Sequence, residues 1–200
     1  MIIGVDFDNT IVCYNQIFHK VAVEQGLIPV QVPASKEAVR DYLRECGQED
    51  DWTEMQGYVY GARMYEAAPF PGVIDFFALC RRNGIKVFII SHKTRYPYRG
   101  LRYDLHQAAQ NWLEIHGFRD PQGLGLTSEQ IYFELTKQEK IDRIAGVGCS
   151  HFIDDLPEFL AEASFPRGVE RILFDPNNKH LDVQDVQRKS SWREIVEMFG

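Results

Sequence analysis

Asp6 and Asp8 stand two residues apart near the start of the chain, in the stretch Asp6-Phe7-Asp8-Asn9-Thr10. In a strand, residues i and i+2 point the same way. If the chain turns just after Asp6, the two carboxylates can flank a reacting group from different sides. One can then attack while the other handles protons. Carboxylate nucleophiles form aspartyl-phosphate intermediates. A neighbouring carboxyl can protonate a leaving group in the first step and activate water in the second. Taken alone, the stretch reads as a turn followed by a helix N-cap, because Asp, Asn and Thr favour both. The ends of the other apolar runs decide between the two readings.

Ile2 to Val5 is a short apolar run that delivers Asp6. Four more runs have the same form. Lys86 to Ile90 ends at Ser91, Gln130 to Phe133 at Glu134, His151 to Ile153 at Asp154 and Asp155, and Arg171 to Phe174 at Asp175. Short apolar runs of this kind are the mark of parallel strands buried on both faces. Between them lie helical patterns over Val73–Asn83, Leu105–His116 and Lys137–Gly146, with shorter ones over Leu156–Ala163 and Trp192–Phe199. Gly84 and Gly117 sit where helix C-caps belong. The alternation predicts an α/β fold: a three-layer, Rossmann-like parallel sheet with helices on both faces.

Residues 14–69 break the rhythm. They hold no convincing strand, but helical patterns around Phe18–Leu27, Ala38–Leu43 and Trp52–Tyr65, closed by Pro69, Pro71 and Gly72. The expectation is a small helical cap over 14–69, inserted after the first strand of a core made of 1–13 and 70–200.

Open parallel sheets bind ligands beyond the carboxyl ends of their strands. That gathers Asp6, Asp8, Ser91, Asp154 and Asp155 at one place. Carboxylates sharing a site raise each other's pKa, and a cation is the usual resolution. Hard oxygen donors left partly open to water and phosphate suit Mg2+. Thr136-Lys137-Gln138-Glu139-Lys140 offers two lysines three apart, either able to neutralise Asp6 and phosphoryl oxygens. Lys137 is preferred over Lys140, because it opens its helix and a helix-start side chain easily reaches the strand ends.

The ordered set resembles the motifs of the haloacid dehalogenase-like superfamily. Asp6-Phe7-Asp8-Asn9-Thr10 is similar to its first motif, Ile89-Ile90-Ser91 to its second, the lysine at the helix start to its third, and Ile153-Asp154-Asp155 to its fourth. The resemblance runs from residue 1 to about 175. It implies Asp6 as nucleophile, Asp8 as general acid/base whose backbone carbonyl also binds magnesium, and Ser91 as a hydrogen-bond partner of the transferred phosphoryl group. It implies Asp154 and Asp155 as magnesium-binding acids, Asp155 being favoured as the direct ligand. The segment 14–69 takes the position of a C1-type cap. A weaker resemblance points to the five-prime deoxyribonucleotidase branch.

The expected function is a magnesium-dependent phosphatase acting on a small phosphorylated metabolite. The alternatives are a five-prime nucleotidase-like enzyme, a phosphotransferase on the same scaffold, or a non-catalytic phospholigand-binding domain. Retention of both Asp6 and Asp8 argues against the last, since binding alone needs no acid/base partner. His92 to Arg102 carries four of the chain's 22 basic residues directly after a catalytic strand. Thr10, His92, Lys93 and Arg95 are the candidate substrate contacts, while Trp52, Tyr58, Tyr60 and Tyr65 offer an aromatic roof or simply a helical core.

Composition fits this reading. The 200-residue chain has a net charge of -7, without the basic excess of a nucleic-acid polymer binder. No run approaches the ~20 apolar residues of a membrane span, and the stretch Met1 to Asp6 shows neither the basic region nor the apolar run expected of a signal peptide. Cys13, Cys46, Cys80 and Cys149 are too scattered for a zinc site and read as free thiols. A cytoplasmic location is expected. Nothing in the sequence sets an oligomeric state.

Overall fold

A computed structural model describes all residues, 1–200. In chain order its elements are β1 (Ile2–Val5), β2 (Val12–Cys13), α1 (Asn15–Glu24), α2 (Lys36–Glu45), α3 (Glu49–Gly61), β3 (Ala68–Pro69), α4 (Val73–Arg82), β4 (Lys86–His92), α5 (Leu105–Ile115), β5 (Ile131–Glu134), α6 (Lys137–Gly146), β6 (His151–Asp154), α7 (Pro157–Leu160), β7 (Glu170–Phe174), β8 (Gln187–Lys189) and α8 (Trp192–Phe199). Six strands form one parallel sheet in the order β5-β4-β1-β6-β7-β8. β2 and β3 make a separate two-stranded ribbon. No helix is long and apolar enough to cross a membrane.

The chain divides into two compact units. The first comprises Met1–Val12, Pro69–Lys93 and Gly117–Gly200; the second comprises Cys13–Ala68 and Thr94–His116. The second unit takes α5 and the loop before it. The reason is local packing. The Trp112 indole N–H on α5 donates to the Ala67 carbonyl at 2.7 Å, with both groups buried.

In the first unit, β1 is central and its residues alternate between two apolar layers. One layer joins Phe88, Ile90, Phe152 and Leu173 to Ile141 and Ile144 of α6 and Phe159 and Leu160 of α7. On the other, α4 and α8 pack through Phe76 against Trp192 and Phe199. Gly4 leaves room on the first layer: a Cβ there would sit 2.5 Å from the Phe152 ring. β8 was not legible in the sequence, because Gln187-Arg188-Lys189 is a polar edge strand held by its pairing with β7.

The second unit has a core of its own. Phe18 packs on Trp52 and Tyr60, and Tyr14 on Tyr60. Arg63 ties α1 to the following turn by pairing with Glu24 and Glu66. Trp52 and Tyr60 thus serve the helical core, while Tyr65 is exposed. His116 stacks on Trp112 with ring centroids 4.1 Å apart.

Candidate active site

The site lies in the first unit, at the carboxyl ends of its central strands. Register brings the residues together. Val5 is level with Ile89 of β4 and Ile153 of β6, so Asp6, Ser91 and Asp154 follow at neighbouring strand ends. The ladder runs one step past β1, with Asp6 N–H donating to the Ile153 carbonyl at 2.8 Å. The chain then turns. The Phe7 carbonyl accepts from both Ile11 and Val12, each at 3.0 Å. Asn9 takes a left-handed φ of 59°, which Asn tolerates better than most residues.

Asp6 is 5% exposed and Asp154 is fully buried. Their carboxylate oxygens and one of the half-buried Asp155 lie within 4.8 Å of one another. Lys140 joins the first two, its Nζ donating to Asp6 Oδ1 and Asp154 Oδ2 at 2.6 Å each. The Leu156 N–H donates to the remaining Asp154 oxygen, Oδ1, at 2.9 Å. The buried Thr10 hydroxyl donates to Asp155 Oδ1 at 3.3 Å, and the Thr10 carbonyl accepts the Trp192 indole N–H at 2.9 Å. The last helix thereby pins the loop that carries Asp6 and Asp8.

One lysine does not balance this much acid. Burial, opposed by Lys140 and reinforced by Asp154 and Asp8, pushes the Asp6 carboxyl up to about 7. Burial also works against the Lys140 charge, yet Asp154 and Asp6 hold its ammonium well above the ordinary lysine value. The Phe159 ring adds to this, with its centroid 4.1 Å from Nζ. A hard divalent cation among oxygen donors is the chemical complement of such a cluster.

Lys140, not the preferred Lys137, is the lysine beside Asp6; Lys137 is exposed. Both fall on the face of α6 that carries Ile141 and Ile144. Lys137 sits about 4.5 Å further along the helix axis at 1.5 Å per residue, and it lies in the exposed first turn. Thr136 fixes that register through a reciprocal cap with Glu139.

The Asp8 carboxylate is not among the clustered acids. Lys93 Nζ donates to its Oδ1 at 3.0 Å and its Oδ2 at 2.7 Å. Ser91 is buried in β4. His92 is exposed, and its Nε2–H donates to the Leu135 carbonyl at 3.1 Å. Partial desolvation, helped by the charges of Lys140 and Lys137, lowers its pKa. Arg95 belongs to the second unit, where it pairs at 3.1 Å with Asp104, the N-cap of α5. No spacing rule could have found the Asp8–Lys93 pair, whose members are 85 residues apart.

Solved structures share this architecture from end to end. A haloacid dehalogenase family hydrolase of Deinococcus radiodurans R1, with bound phosphate and sodium, superposes with a TM-score of 0.60 at 17% identity, over 96% of this chain and 92% of that one. A hydrolase of the same superfamily from Bacillus subtilis, bound to magnesium, gives 0.58 at 13%, over 100% and 98%. A haloacid dehalogenase-type phosphatase of Thermococcus onnurineus gives 0.52 at 15%, over 99% and 97%.

The chain has the haloacid dehalogenase-like fold.

No protein-family model matches its sequence, and no curated protein matches it either. The likeness is one of fold and singles out no cap class and no nucleotidase branch. Within this haloacid dehalogenase-like fold, the four motif segments fall at β1, β4, α6 and β6. Three of these, β4, β1 and β6, are adjacent strands of the sheet.

Proposed function

We propose that the protein is a magnesium-dependent phosphatase that hydrolyses a small phosphorylated metabolite through an aspartyl-phosphate on Asp6. The observation that carries this reading is the convergence of Asp6, Asp154 and Asp155 on one point, with Lys140 between the first two. Phosphate and magnesium are bound in two proteins of the same fold, and a third is a phosphatase. These likenesses support the reading without naming a substrate.

Asp6 and Asp155, with the Asp8 backbone carbonyl, would hold the ion. Asp154 is the poorer direct ligand, because its two oxygens already accept from Lys140 and the Leu156 N–H. Bound magnesium would offset the repulsion between the carboxylates and the phosphoryl oxygens. Lys140 favours the ionised form of Asp6, against burial, and holds it in place. In the first step an Asp6 oxygen forms a bond to phosphorus, and the bond to the ester oxygen breaks. The leaving oxygen takes that electron pair together with the Asp8 proton. In the second step Asp8, now a carboxylate, takes a proton from water. The water oxygen attacks phosphorus and Asp6 leaves as the free carboxylate. Ser91 would hold a phosphoryl oxygen at the end of β4. His92 and Thr10 stand close by, Thr10 acting through Asp155.

The test is a panel of phosphate monoesters assayed with magnesium, with EDTA, and with Asp6→Asn. Metal-dependent release of phosphate by wild type alone is expected. Equal release by wild type and Asp6→Asn would remove Asp6 as nucleophile. A protein that turns over no ester, yet melts at a higher temperature with a phosphorylated ligand, would be a binding domain instead.

A further inference from the structure

Lys93 lies one residue past the last residue of β4, and its backbone N–H donates to the Glu134 carbonyl at 2.8 Å. It is only 4% exposed. Lysine is almost never buried this deeply without a partner. Its ammonium meets both oxygens of Asp8, at 3.0 and 2.7 Å. It also stands 5.7 Å from the centre of the Phe7 ring, and Phe7 is in turn held edge-on by Phe133 at 5.3 Å. Lys93 is therefore anchored by its backbone and by the aromatic pair on which its ammonium rests.

Asp8 has a short side chain on a tight turn, two residues from an acid of the candidate cation site. A carboxylate so placed is drawn toward any divalent cation held by Asp6 and Asp155. As a further ligand it would fill the coordination sphere and be lost to proton transfer. Contact with one oxygen would leave the carboxylate free to pivot; contact with both does not.

We propose that Lys93 is a positioning residue for Asp8, holding its carboxylate in one orientation clear of the acidic cluster so that it faces the ester's leaving group. This assigns Lys93 to the acid/base residue rather than to the substrate. It rests on the phosphatase reading above.

The experiment compares Lys93→Met with wild type on para-nitrophenyl phosphate and phenyl phosphate, with magnesium saturating. The two esters differ little in shape. Nitrophenolate leaves without a proton, whereas phenolate needs one. kcat/KM covers the steps up to the aspartyl-phosphate and so isolates the role of the general acid. General acid catalysis contributes about 10²- to 10⁴-fold. The variant should therefore lose about 10-fold more kcat/KM on phenyl phosphate than on para-nitrophenyl phosphate. In an Asp8→Asn background the same substitution should add no leaving-group preference. If Lys93→Met does not fold, Lys93→Gln, neutral and too short to span both oxygens, carries the same comparison. An equal loss on both esters would overturn the proposal and make Lys93 a ligand of the phosphoryl group they share. A wild type inert on both would remove the phosphatase reading and this proposal with it.

Discussion

Two strand ends of the sheet look alike in sequence and behave in opposite ways. β6 and β7 are adjacent, each a short apolar run ending in buried acid. At β7 the acid is Asp175, and its own loop satisfies it. Its oxygens accept from the Lys179 N–H at 2.9 Å and the His180 N–H at 3.0 Å, with Arg188 at 3.5 Å. Burial alone would raise its pKa, but these backbone bonds and the nearby charges of His180 and Arg188 more than offset it and hold it below the ordinary value. At β6 and β1, Asp154 and Asp6 share one lysine with Asp155 close beside them, and Asp6 is pushed up to about 7. The first end is a closed structural joint. The second keeps unbalanced charge, which is what a reactive site requires. An acid at a strand end becomes a candidate for chemistry when it must share one cation with neighbouring acids.

The largest effect should come from removing the one cation at the crowded end. Lys140→Met leaves Asp6 and Asp154 buried without it. Breaking a buried pair by removing one partner costs about 3–5 kcal/mol, so the melting temperature should fall steeply. Magnesium should restore part of it. A variant as stable as wild type would mean that the acids do not depend on Lys140. Next in size is the metal itself. At a magnesium concentration 100 times the dissociation constant, binding stabilises by about 2.7 kcal/mol. Wild type should show that shift in a thermal melt, and Asp155→Asn should lose most of it. An unchanged Asp155→Asn shift would place the cation elsewhere.

The smallest effect is expected at the closed end. Asp175→Asn leaves a backbone N–H poorly satisfied and should cost about 1–3 kcal/mol, while phosphatase turnover is retained. The pH dependence has a definite sign. The folded pKa of Asp175 lies below its ordinary 3.8, so its contribution is present above that value and lost as pH falls through the folded one. Denaturant titrations near neutrality and in acid should show this loss in wild type and not in Asp175→Asn. An Asp175 variant that is stable but inactive would erase the distinction between the two ends.

The contrast also explains what could be read beforehand. The five apolar strands announced themselves, because strands buried on both faces must be apolar throughout. Asp6, Ser91 and the Asp154-Asp155 pair followed from the rule that ligands sit past the carboxyl ends. The preference for Lys137 over Lys140 rested on the helix start alone, whereas the axial position of α6 sets Lys140 beside Asp6. As the end of an apolar run Asp175 has the same form as Asp154, and its partners come from a loop whose turn has no apolar pattern. The Trp112 indole N–H on α5 finds the Ala67 carbonyl 45 residues away, which no local pattern announces. The pairing of Lys93 with Asp8 joins residues 85 apart, beyond the reach of any local pattern.

The central claim is that Asp6 carries the phosphoryl group. Wild-type protein should be mixed with magnesium and para-nitrophenyl phosphate, quenched rapidly in acid, digested with pepsin in acid and its peptides weighed, beside Asp6→Asn. An adduct of one phosphoryl group is expected on the peptide containing Asp6, and neither adduct nor turnover in Asp6→Asn. Turnover at the wild-type rate by Asp6→Asn, or an adduct on any other residue, would contradict it.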